Sequence, residues 1–428
     1  GILINESGTL ANLKISADTE LNIANGKTLY GSIEVSAENT LSLIGTGTLN
    51  SSLNLLGTLE AAESLEVSGK IIIAGDSTIS IPDSDTTLIY SGSELTVDAY
   101  TFSIGGSGTF SNNMSSPIVL SVEESILDLT GNGTITGEVR LDGCTLKASG
   151  SPTISGNITQ SDDATIEVSP NQTLSYSGSS LNLGSNKLTL TGTGDFSNSN
   201  ALVLNDADSL LSLEGIGTIG VVNATVEANP GKGIQVVESS TFASLDILAT
   251  SYLAIASEKT IDGPIKLQNN ADLKISGSGE YLGDMVLSGG KFRVDNNRNL
   301  IGNLSITADS EIIISPNYTL TLNQTGGFAL GGNILNISGG GNFFSGGVTL
   351  DNSNSKLLLS SVTLDSVSTS SDNLGIDINE DSTISSLSIG HVTPISIAST
   401  KTLSGSATVS AGSLNLTETG ILSSTISM

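Results

Sequence analysis

The stretch Leu21-Asn22-Ile23-Ala24-Asn25-Gly26-Lys27-Thr28-Leu29 is followed downstream by Gly45-Thr46-Gly47-Thr48. Its parts are an apolar-x-apolar word, a short polar turn and a Thr-Leu. The same order returns in Ile79-Ser80-Ile81…Thr87-Leu88, Ile166-Glu167-Val168…Thr173-Leu174 and Leu253-Ala254-Ile255…Thr260-Ile261. It returns again in Ile312-Ile313-Ile314…Thr319-Leu320 and Ile395-Ser396-Ile397…Thr402-Leu403. The anchoring threonines recur at about 60 or about 85 residues, the mark of an internal repeat. In five copies a Gly-x-Gly ends about 20 residues after the threonine, and the sixth closes on a degraded Thr419-Gly420.

The glycine pairs have intervals of their own. After Gly45-Thr46-Gly47 come Gly106-Ser107-Gly108, Gly131-Asn132-Gly133, Gly192-Thr193-Gly194, Gly215-Ile216-Gly217, Gly277-Ser278-Gly279 and Gly339-Gly340-Gly341. Their second glycines are separated by about 60 or about 24 residues and by nothing in between. A coil of roughly 20–25 residues accounts for both series as one, three or four turns, within the unit size of solenoid proteins. A longer match supports it. Gly108-Thr109-Phe110-Ser111-Asn112 through Gly133-Thr134-Ile135 reads like Gly194-Asp195-Phe196-Ser197-Asn198 through Gly217-Thr218-Ile219, a duplicated cassette.

The coils are made of strands. The recurring word is apolar-x-apolar, as in Ile33-Glu34-Val35, Leu41-Ser42-Leu43, Leu181-Asn182-Leu183 and Leu414-Asn415-Leu416. Period two puts both apolar side chains on one face. Gly, Ser, Asn and Asp separate the words, and no i, i+3, i+4, i+7 pattern persists. The expectation is an all-β parallel β-helix (β-solenoid) of about 20 coils with two or three short strands each and next to no helix. At about 4.8 Å per coil this is a rod near 100 Å long. Tandem β-sandwich domains would need longer strands paired as hairpins. The core should include Leu21, Ile23, Ile166, Val168, Leu188, Leu190, Leu273, Ile275, Leu335 and Ile337.

Composition fits the coil reading. Charged residues are only 14% of the chain, because identical charges stacked one coil apart would repel. Outward positions go to Ser, Thr and Asn, and Gly serves corners that need positive φ. No composition shift or linker interrupts residues 1–428, so one continuous solenoid domain is expected. With 15 Lys and Arg against 43 Asp and Glu the net charge is −28, which disfavours nucleic acid as a partner. No apolar run reaches the ~18 residues of a spanning helix, so membrane insertion is not expected. The chain opens on Gly1-Ile2-Leu3-Ile4, which reads as a processed protein or a piece of a longer one. Single copies of Cys and His, Cys144 and His391, exclude an internal disulfide and a zinc site of the usual kind. Cys144 reads as a small buried residue.

Catalytic signals are sparse. Glycosidic hydrolysis needs two positioned carboxylates, and adjacent acidic pairs such as Glu123-Glu124 and Asp162-Asp163 read as exposed turns. His391 sits in Gly390-His391-Val392 with no acidic neighbour in sequence, and the arginines are only Arg140, Arg293 and Arg298. The chain has no Trp to build a sugar platform. The tandem nonapeptide of calcium-binding β-rolls is missing, and Gly192-Thr193-Gly194-Asp195 reads as a corner. No Gly-x-Gly precedes a helix, so none is a nucleotide fingerprint. No catalytic, cofactor-binding or metal-binding residue is assigned, and loosely bound Ca²⁺ is the single ligand that the carboxylates suggest.

The degenerate coils, the Ser/Thr/Asn/Gly-rich surface and the Thr-Leu and Gly-x-Gly-Thr words resemble autotransporter passenger and filamentous-haemagglutinin-type adhesin repeats of bacterial surfaces. The resemblance covers the whole chain at the level of style. It implies a right-handed helix, export and a place at the cell surface in adhesion. The expected function is a non-enzymatic extracellular fibre, stalk or adhesin segment. Its expected partners are itself, head to tail in a filament, or the continuation of a longer chain, together with a cell-surface or glycan receptor. The alternative is a glycan-acting β-helix enzyme or a phage tailspike-like protein. A carboxylate pair and an aromatic platform lining one groove would favour that alternative. Neither end carries an amphipathic helix, charged cap or Pro over Ile2-Leu3-Ile4 or Leu422-Ser423-Ser424-Thr425-Ile426-Ser427-Met428.

Overall fold

The computed structural model describes every residue except Met114, Ser115, Asn269, Thr325, Gly412 and Met428, so the last residue of the C-terminal run lies outside the described residues. Strands without any helix make up the regular structure among the described residues, and they pair in parallel as a β-solenoid of about 21 turns. The chain divides into two compact units, Gly1–Val203 with Ser209–Val221, and Leu204–Asp208 with Val222–Met428.

In each unit the apolar words stack into ladders on the first sheet. In the first unit Leu41, Leu59, Ile79, Ile104, Leu129, Ala148 and Val168 follow one another in register on seven coils. In the second, Leu273, Phe292, Ile312, Ile337, Leu359, Ile378 and Ile397 do the same. All ten core positions expected from the sequence are buried. Equivalent words are not always stacked atom over atom, however. Leu188 lies opposite Ala164 and Leu190 opposite Ile166, a slide of two residues that leaves Val168 under the Gly192 corner.

That slide explains five of the seven glycine pairs, whereas Gly131 and Gly133 stand over Gly106 and Gly108, and Gly217 over Gly194. Residues 24–27 close a turn in which Lys27 N–H donates to Ala24 O at 3.0 Å and Gly26 has φ +70°. A positive φ at the third residue marks a type II turn, and Pro170 and Pro316 occupy its second position in two other copies. The next coil lies over this turn. Gly47 N–H donates to Ile23 O at 3.0 Å and Thr48 N–H to Lys27 O at 2.9 Å. The same pair of bonds recurs from Gly108 and Thr109, Gly194 and Asp195, Gly279 and Glu280, Gly341 and Asn342, and Gly420 and Ile421. The degraded sixth copy is therefore structurally intact.

The two glycines differ in their reasons. Gly45 needs its φ of +85°, as expected of a corner. Gly47 does not have a positive φ; a Cβ there would lie 2.7 Å from Ala24 O and 2.8 Å from Lys27 O. Close approach of backbone, not backbone conformation, demands the second glycine.

A second glycine corner leaves no trace in the pattern of words. It divides the long second sheet into two strands per coil, and Gly156, Gly178, Gly283 and Gly302 each sit against the carbonyl of a glycine one coil earlier. Over four coils the far half becomes a separate short sheet, Leu95–Val97, Ile118–Leu120, Val139–Leu141 and Ile158–Gln160.

Candidate functional site

Corners of unequal length create an open concavity in the first unit. Where the short sheet turns into the first sheet, residues 142–144 and 161–163 make corners of three residues. Residues 121–125 and 183–186 on the flanking coils make longer ones. The valley between them is an open groove of about 620 Å³ lined by Glu123, Asp142, Asp162 and Asp163, with Cys144 in its floor and Lys187 at its side. Asp162-Asp163 and the Glu123 of Glu123-Glu124 therefore contribute to one groove, and the third adjacent acidic pair, Glu380-Asp381, lies elsewhere. Asp142 has no acidic neighbour in sequence, but it stands one coil after Glu123 and one coil before Asp162.

Most of these carboxylates already serve the fold. Asp163 Oδ1 accepts the backbone N–H of Lys187 at 2.6 Å, Asp162 Oδ1 accepts the Asp163 N–H at 2.7 Å, and Asp142 accepts the Ser161 hydroxyl. The Lys187 ammonium lies 3.6 Å from Glu214. Cys144 is 3% exposed, and burial pushes its thiol up to about 12, so it is not a thiolate at neutral pH. No aromatic side chain lines the groove. Among the described residues, no group of three or more His, Cys, Asp or Glu is placed to hold a metal ion.

The same use of carboxylates extends through both units. Asp18, Asp76, Asp309 and Asp381 accept backbone N–H groups of Thr40, Thr101, Ile334 and Thr402, each one coil away, at 2.7–2.8 Å. Others pair with a cation of the neighbouring coil, as Glu34 with Lys14 at 2.7 Å, Glu167 with Lys147 at 3.1 Å and Glu311 with Lys291 at 3.2 Å. His391 has an acidic neighbour after all: its Nδ1 is 3.8 Å from Asp372 of the preceding coil. Sequence adjacency misses that contact because the neighbour is a coil away. Both side chains are exposed, and no second carboxylate or nucleophile joins them in a described hydrogen bond.

The terminal coils show the other unusual surface. Leu414 and Leu416 lie opposite Thr393 and Ile395, and Ile426 opposite Ala407, so all three face inward on the final coil. With no further coil over them, Leu416 is 54% and Ile426 45% exposed. At the other end Ile2 and Ile4 lie opposite Leu21 and Ile23 and are half-buried.

No family model, curated protein or solved structure matches the chain.

Proposed function

We propose that the chain is a non-enzymatic structural segment of an extracellular or cell-surface fibre, stalk or adhesin. Its end coils would receive a further coil of the same fold, supplied by a second copy head to tail or by more of the same polypeptide. The uncovered inward ladder at Leu414, Leu416 and Ile426 carries this reading. An open parallel edge with apolar side chains beside it is a template for another strand. A head-to-tail contact is heterologous and does not close, so it builds a filament. The bacterial-adhesin likeness rests on the style of the coils and extends the proposal to a receptor on a cell surface or glycan. Negative-stain microscopy of the purified chain tests it: thin unbranched fibres that lengthen with concentration are expected. A monodisperse monomer at high concentration would overturn self-stacking.

The acidic groove meets one of the two conditions for a second reading, a glycan-acting solenoid: it has the carboxylates and lacks the aromatic platform. Glycosidic hydrolysis uses two carboxylates, one as general acid and the other as base or nucleophile. Release of reducing ends from a panel of polysaccharides, lost in Asp142→Asn and Asp163→Asn, would establish it. Inactivity across the panel would remove it.

A further inference from the structure

No further inference is drawn: the strongest candidate, the outward hydroxyl column of the second sheet formed by Thr87, Thr109, Thr134 and Thr153 in register on consecutive coils, is a stripe of short side chains, and nothing in the structure shows what covers it.

Discussion

At the scale of single residues, the turn closed by residues 24–27, with its equivalents, is a natural substitution series. Its third position holds Gly26, Asn171, Glu258, Asn317 or Thr400, all with φ between 61° and 70°. Glycine and asparagine accept that region, whereas a β-branched side chain is strained there by about 1–2 kcal/mol. Thr400→Gly should therefore raise stability by about 1 kcal/mol after the entropy of a more flexible unfolded chain is subtracted. Gly26→Thr should lower it by a similar amount, and urea unfolding of both variants checks the sign. Gly341 presents the steric case: a Cβ added there would meet Tyr318 O at 2.7 Å and Ser315 O at 2.8 Å. Gly341→Ala should cost about 1–3 kcal/mol through overpacking. Arg298 presents an electrostatic case. It is 4% exposed, the single charged side chain in the core among the described residues, and donates to Gly277 O and Gly279 O at 2.5 Å. Burial pulls its pKa down to about 10, so at neutral pH the fold carries a desolvated charge that the unfolded chain does not. The unfolded state binds the proton more tightly, so this penalty is complete below pH 10 and shrinks as pH rises beyond it. Arg298→Met removes the desolvated charge but also takes the donors from Gly277 O and Gly279 O, so the two effects offset and the variant should lose less stability than Arg298→Ala. Arg298→Ala suffers the same loss of donors and leaves a cavity besides. Calorimetry of the two variants checks that order.

At the scale of elements, the duplicated cassette shows what a repeated sequence preserves. Tyr90 stacks on Phe110 with ring centroids 6.4 Å apart, and Tyr176 on Phe196 at 6.3 Å. The tyrosine hydroxyls accept the backbone N–H of Ile71 and Ile158 at 3.3 and 3.2 Å. Asn112 donates to Ser116 O and Glu138 O at 3.2 and 3.1 Å, and Asn198 donates to Asn200 O and Val221 O at 2.8 and 2.7 Å. Their amide oxygens find no hydrogen-bond donor and rest against Gly137 and Gly220 of the next coil. Asn112→Ala should cost about 1–3 kcal/mol, because buried corner carbonyls lose their donor. Asn198→Ala should cost about the same, and unequal losses in thermal melts would show that the two cassettes are not energetically equivalent. The Phe-Ser-Asn words are legible in the sequence as a duplication, and the alternating words as a buried face. Register between coils is not. It depends on how many residues each corner takes and which carbonyl lies beneath it, and neither leaves a mark in a period-two pattern. The slide that sets Leu190 over Ile166 is one result. The groove is another, since its acidic residues are ordinary turn residues until a three-residue corner falls between longer ones. Carboxylates spaced at the coil period are the available signal.

At the scale of the whole molecule, charge and the uncovered end coils oppose each other. The chain carries 43 carboxylates against 15 Lys and Arg. Exposed ion pairs such as Lys14 with Glu34 contribute little each, so the excess of 28 negative charges acts mainly between molecules. In the proposed filament the apolar end coils would attract through short-range burial, whereas like charges repel over a Debye length of about 30 Å at 0.01 M salt and about 8 Å at 0.15 M. Adding salt therefore removes the repulsion and leaves the burial in place. Association in sedimentation velocity should strengthen as NaCl rises from about 0.01 to about 0.15 M. It should strengthen again as pH falls toward the isoelectric point near 4.1. The variant Leu416→Lys with Ile426→Lys should abolish association at every salt concentration. It should also leave the melting transition where it was, because both side chains are already about half exposed. Charge reversal at the outward-facing Glu60 would instead weaken repulsion slightly without touching the end coil. If salt loosens the assemblies, or the double lysine variant assembles as well as the parent chain, the end coils are not the contact and the filament reading falls with them.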